Sequence, residues 1–154
     1  MKNEFAEAWF FNQGWQAHNF QRRCWQAIAN GESGILNAPT GSGKTFAIWF
    51  GIIAQYYAMF TPQQKKPKNR TLHLLWITPL RALSKEIHKA TTQVSHDLDL
   101  DYQIELRTGD TTTYDRQKQR KNPPHALVTT PESVHLILAT KGGQEYFKNL
   151  EFII

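Results

Sequence analysis

The sequence predicts an α/β domain with a largely parallel sheet flanked by helices. Two observations carry that expectation. Short apolar or β-branched runs, bounded by Gly, Pro, Asn or Asp, alternate with longer helical stretches along the whole chain. Such alternation threads parallel strands through crossover helices that cover both faces of the sheet. In addition, 154 residues, 40% of them hydrophobic and 20% charged, suffice for one domain with a proper core and argue against disorder.

The expected strands are Ser33–Ala38, Thr71–Thr78, Asp101–Arg107, Ala126–Thr130 and Leu150–Ile154. The expected helices are Ala17–Asn30, Gly43–Phe60, Leu80–Ser95, Thr113–Lys121 and Glu132–Thr140, with a last turn near Gln144–Asn149. Phe46–Phe60 is apolar almost throughout, but it is shorter than the roughly 18 to 20 residues of a spanning helix and contains Gln55. It reads as a helix buried in a protein core, and no membrane role is inferred. The basic stretch Thr61–Arg70 reads as an exposed loop. The N-terminus carries Glu4 and Glu7 where a signal peptide needs an uninterrupted apolar run, so it reads as an ordinary mature terminus.

Charge and cysteine content narrow the setting. Lys and Arg number 18 against 13 Asp and Glu, a formal net charge of +5, so an anionic partner such as nucleic acid is plausible. The single cysteine, Cys24, can make neither an internal disulfide nor a zinc site, which fits a reducing cytoplasm.

Ala38–Thr45 reads APTGSGKT, directly after one expected strand and directly before an expected helix. That is the context of a phosphate-binding loop. Thr40, Gly41, Ser42 and Gly43 let successive backbone N–H groups turn toward the phosphates of ATP, and the following helix adds the partial positive charge of its N-terminus. Lys44 supplies a mobile full charge to the β- and γ-phosphates, while the Thr45 hydroxyl is suited to Mg²⁺. Ala38 stands where the usual pattern has Gly.

Three further segments fall at expected strand ends: Thr78–Leu83 (TPLRAL), Arg107–Thr111 (RTGDT) and Thr129–Glu132 (TTPE). Taken singly, each is an ordinary strand-ending turn or helix cap. Taken in order, together with APTGSGKT, they resemble the motif series of superfamily 2 helicases and translocases. The resemblance is to the Lhr-like DEXH-box helicases, nearest the ligase-associated group, and it runs over nearly the whole chain.

The resemblance implies a RecA-like P-loop NTPase domain of an ATP-dependent DNA helicase or translocase, acting on single-stranded DNA rather than RNA and working in repair, with a DNA ligase or nuclease as a possible partner. It places Gln21 against adenine, and Phe11 and Trp15 become stacking candidates for which core packing is the better reading. It sets Pro79, Arg81, Thr108, Gly109, Asp110, Thr130, Pro131 and Glu132 on the nucleic acid. Hydroxyls, helix N-terminal N–H groups and an arginine suit a sugar-phosphate backbone, which they grip without reading bases. Arg116, Lys118, Arg120 and Lys121 form one basic segment, read as a solvated helix face.

The acidic motif of such motors, an apolar strand ending in Asp-Glu that holds Mg²⁺ and polarises water, does not occur in the 154 residues. The expectation is therefore an incomplete N-terminal RecA-like domain over residues 1–154, inactive alone. Two other readings stay open: a different P-loop enzyme, such as a nucleotide or small-molecule kinase, and a non-catalytic module that binds ATP or nucleic acid.

Overall fold

The computed structural model describes residues 4–59 and 70–154. The chain divides into two compact units, Met1–Lys66 and Pro67–Ile154. The expected loop Thr61–Arg70 lies, except for Arg70, outside the described residues, as does Phe60 of the expected helix.

The first unit is helical: α1 (Glu4–Asn12), α2 (Asn19–Ala29) and α3 (Lys44–Met59). α1 is not among the expected helices, although its signal is local. Glu4 and Glu7 sit in the first turn, where carboxylates complement the helix dipole, and Ala6, Trp9 and Phe10 are buried. Aromatic rings build the core: Trp9 lies 5.1 Å from Phe46 and 5.2 Å from Phe50, and Phe10 lies 5.6 Å from Phe50 and 6.1 Å from Trp25. Tilted pairs at these separations add to the large area that each ring buries. α2 packs closely on α3 at Gly51, where a Cβ would meet Ile28 Cδ1 at 2.6 Å. The apolar helix is a core helix, as expected: Ala47, Trp49, Phe50, Ile52, Ile53 and Tyr56 are all buried. No helix among the described residues is long and apolar enough to cross a membrane.

One expected strand does not form. Ser33–Ala38 joins no ladder among the described residues, and Ile35 is 98% exposed. A β-branched run becomes a strand only when a neighbour satisfies its backbone groups, which is why an apolar pattern alone misled here.

The second unit holds a four-stranded, wholly parallel sheet in the order β2-β3-β1-β4, with β1 (Leu74–Ile77), β2 (Ile104–Arg107), β3 (Ala126–Thr129) and β4 (Phe152–Ile153). Its helices are α4 (Arg81–Asp97), α5 (Thr113–Lys121), α6 (Pro131–Leu138) and α7 (Gly143–Tyr146). Register pairs Leu75 with Leu127. On that face Leu72, Leu75, Leu127 and Ile137 form a buried cluster, joined by Val134 of α6 and Tyr146 of α7. Leu74, Trp76, Ala126 and Val128 alternate with these residues, point to the opposite face and are also buried. α4 packs against β2 and β3. The fold is thus α/β with a parallel sheet flanked by helices, and the sheet order sets the carboxyl ends of β1, β3 and β2 side by side.

Candidate nucleotide and nucleic-acid sites

In the first unit the P-loop runs into the N-terminus of α3. Gly41 and Gly43 adopt φ of +79° and +86°, a region that side chains disfavour, and Gly43 is further constrained because a Cβ there would meet Gln21 Nε2 at 2.7 Å. Ser42 Oγ donates to the Pro39 carbonyl at 2.7 Å, closing the turn. Lys44 Nζ donates to the carbonyls of Ala38 at 2.6 Å and Pro39 at 2.8 Å, so its ammonium is held at the loop's own rim. Thr40 is exposed, and Thr45 is half-buried in the first turn of α3. The first N–H groups of a helix have no acceptor within it, which leaves this end able to bind an anion. Phosphates fit the loop on these grounds. For a cation the loop offers the Thr45 hydroxyl, and among the described residues no three His, Cys, Asp or Glu side chains gather into a metal site.

Gln21 is only 1% exposed. Its Oε1 accepts from the His18 N–H at 2.8 Å, capping α2, and its Nε2 donates to the Gly43 carbonyl at 3.1 Å. Both ends of the amide are therefore engaged, and the residue ties α2 to the P-loop. Trp15 packs edge-on against Trp9 at 5.9 Å, in keeping with a packing role, although it is half exposed. Phe11 departs from that reading: at 80% exposure it lies on the outer face of α1, because the helix turns Trp9 and Phe10 inward instead.

In the second unit the three strand-end segments meet. Pro79 and Arg81 are exposed at the start of α4, after β1. Arg81 Nη1 donates to Asp110 Oδ1 at 2.8 Å, and a Cβ on Gly109 would meet Arg81 Nη2 at 2.5 Å, so the guanidinium lies directly over the Gly109 backbone. Thr108 is 2% exposed, its hydroxyl accepting from the Asp110 N–H at 3.3 Å. Thr130, 4% exposed, is the N-cap of α6 and donates to Ser133 Oγ at 3.2 Å, with Pro131 at the first helical position. The backbone N–H of Glu132, then the Thr130 hydroxyl, then the charge of Arg81, hold the Glu132 carboxyl below its ordinary range. The segments converge at the carboxyl ends of β1, β2 and β3, but Thr108 and Thr130 face their own turns. Arg81, Asp110 and Glu132 are the exposed charged groups. The pairing of Arg81 with Asp110 joins loops 29 residues apart and has no signature in the local sequence.

Comparison with known proteins gives the family and the fold. The profile of the DEAD/DEAH box helicase family matches residues 18–154. The Lhr-Core protein 2 helicase of Thermococcus barophilus is 31% identical over 82% of this chain and 16% of its own length, and the Lhr-Core helicase of Sulfolobus acidocaldarius is 33% identical over 82% and 15%. The chain therefore spans about a sixth of these relatives. Mycobacterium smegmatis helicase Lhr, solved with single-stranded DNA and AMP-PNP, superposes with a TM-score of 0.68 at 26% identity, covering 94% of this chain and 19% of that one. The helicase MrfA, at 24% identity and a TM-score of 0.78, shares the fold. With an α/β core, a P-loop at a helix N-terminus and a matching profile over most of its length, this chain belongs to the DEAD/DEAH box helicase family.

Proposed function

We propose that residues 1–154 form the incomplete N-terminal RecA-like part of a longer ATP-dependent DNA helicase or translocase that works on single-stranded DNA in repair. The observation that carries this reading is the P-loop: two glycines at positive φ, Lys44 at the loop rim and Thr45 in the first helical turn. Thr40 to Gly43 and the α3 N-terminus receive the phosphates of ATP, and Lys44 moves from the Ala38 and Pro39 carbonyls to neutralise charge developing on the transferred phosphoryl group. Thr45 serves Mg²⁺. The bond from Gln21 to Gly43 holds the loop in register, and adenine recognition by Gln21 requires that bond to exchange.

The DNA backbone lies across Pro79, Arg81, the Gly109–Asp110 turn and the Thr130–Glu132 helix start, in contact with Arg81 and backbone N–H groups. The M. smegmatis relative binds single-stranded DNA and AMP-PNP together, which supports this pairing of ligands. A ligase or nuclease partner follows from the sequence resemblance alone, and a cytoplasmic location from the single cysteine, Cys24, which fits a reducing compartment. Because the acidic motif is not among the 154 residues, we expect negligible ATP turnover by this chain in isolation.

The test is Lys44→Ala in the full-length protein. DNA-stimulated ATPase should fall by orders of magnitude. Near-normal turnover would overturn the assignment of the loop.

A further inference from the structure

The basic segment of α5 is more than a solvated face. Arg116 and Arg120, four residues apart and hence on one side of the helix, line a cavity of about 180 Å³ together with Arg107 of β2 and Tyr146 of α7. Among the described residues no Asp or Glu lines it, and the carboxylate that acts on Tyr146, that of Glu105, lies outside the lining. Arg107 is only 9% exposed, and among the described residues its guanidinium has no hydrogen bond or ion pair. Burial lowers its proton affinity, and the charges of Arg116 and Arg120 lower it further, against a partial pull from Tyr146. Arginine does not escape such a position by losing its proton.

The remaining groups are donors as well. Arg116 Nη2 reaches the Thr108 and Gly109 carbonyls at 3.3 and 3.2 Å, yet its Nε is buried without a partner. The Tyr146 hydroxyl is likewise buried and unpartnered, and burial pushes it up to about 12, so it stays a neutral donor. Arg120 Nη2 bonds the Lys141 carbonyl, which anchors the third guanidinium at the cavity wall. Three cations and a phenol around one small space, with no carboxylate among them, form a site lacking its anion.

We propose that this cavity binds a single phosphate group, held by Arg107, Arg116 and Arg120 with the Tyr146 hydroxyl as a further donor. Its volume is below the roughly 300 Å³ at which ordinary ligand pockets begin, which admits one tetrahedral oxyanion and excludes a nucleoside. The source of that group is either inorganic phosphate or one phosphodiester of a nucleic acid. The inference rests on the second unit alone and does not depend on the P-loop or on Arg81. Through the Arg116 bonds to Thr108 and Gly109, an occupied cavity would also brace the turn that carries Asp110.

The experiment is calorimetric titration of the full-length protein with inorganic phosphate at constant ionic strength, in a Lys44→Ala background that removes the P-loop lysine. One saturable site is expected, weakened at least tenfold by Arg120→Gln or Arg107→Gln and partly restored by Arg107→Lys. Arg120 is exposed, so its variant tests the site even if Arg107→Gln fails to fold. Displacement of the phosphate by an unlabelled single-stranded oligonucleotide would assign the site to a phosphodiester, and its retention would assign it to the free ion. Both results sustain the proposal. Heat no greater than that of a chloride blank, or phosphate binding unchanged in Arg120→Gln, would overturn it.

Discussion

The P-loop and the strand-end cluster both place a cation where a phosphate is expected, but they hold it by different means. In the P-loop, Lys44 is held by two carbonyls of its own loop, partners without net charge, and the surrounding shape comes from backbone angles that only glycine takes readily. In the strand-end cluster, Arg81 is held by a carboxylate from another loop, with a second carboxylate, that of Glu132, within electrostatic reach. A phosphate arriving at Lys44 competes with neutral acceptors, whereas a phosphate arriving at Arg81 competes with an anion. Under the proposed function, a phosphate at Lys44 displaces only neutral acceptors, whereas one at Arg81 displaces an exposed ion pair worth no more than about 1 kcal/mol.

The contrast can be broken most severely at the P-loop. Gly43→Ala places a side chain at φ +86° and drives its Cβ to within 2.7 Å of Gln21 Nε2. In the full-length protein this substitution should weaken ATP binding by at least tenfold, as read by titration with a nucleotide analogue, because strain and collision both distort the loop.

At the strand ends the expected changes are smaller and differ in sign. Arg81→Ala should weaken single-stranded DNA binding several-fold and lower the slope of log affinity against log salt by about 1, since one fewer phosphate contact releases counterions. Asp110→Ala frees Arg81 and should strengthen DNA binding at low salt while steepening its salt dependence. Equal losses in both variants would show that the pair acts as a structural strut, with no role in gripping DNA.

The same two sites differ in how far the sequence reveals them. APTGSGKT is legible because every group it needs lies within eight consecutive residues, with a helix immediately behind. The parallel sheet is legible from the alternation of short apolar runs with helices. The Arg81–Asp110 pair is not, because it depends on strand order: β3 lies between β1 and β2, and only the folded sheet brings the loops together. Ser33–Ala38 misleads for the converse reason, its apolar pattern being local while ladder pairing is not. α1 escapes a reading by apolar periodicity because its aromatic residues run unbroken from Trp9 to Phe11, and only packing decides that Trp9 and Phe10 turn inward while Phe11 faces solvent.

A finer expectation concerns pH and the β1 end of the sheet. Burial, with the nearby His125 adding, pushes the His73 imidazole down to about 4 from an ordinary value of 6.5. Its Nδ1 lies 2.9 Å from the Tyr102 hydroxyl, and its Nε2 lies 3.4 Å from the Glu151 carboxylate, which burial pushes upward. Between those two values the unfolded chain binds more protons at His73 than the folded chain, so this group's contribution falls as pH drops from about 6.5 toward 4. The effect is on the order of 3 kcal/mol, reduced in part by Glu151. Urea titrations across that range should show the decline, and His73→Gln should flatten it. The smallest effect is expected at the exposed pair that joins α1 to α2, where Arg22 Nη2 meets Glu7 Oε2 at 2.9 Å: Glu7→Gln should leave the urea midpoint nearly unchanged.

The division of labour between the two sites is tested most directly by one crossed experiment in the full-length protein: the affinity for an ATP analogue without DNA, and the affinity for single-stranded DNA across a salt series, each measured for wild type, Lys44→Ala and Arg81→Ala. The account predicts that Lys44→Ala loses nucleotide affinity and keeps the DNA salt slope, while Arg81→Ala keeps nucleotide affinity and lowers that slope by about 1. Loss of nucleotide affinity in Arg81→Ala with an unchanged DNA slope would contradict it, and would place Arg81 with the nucleotide instead of the nucleic acid.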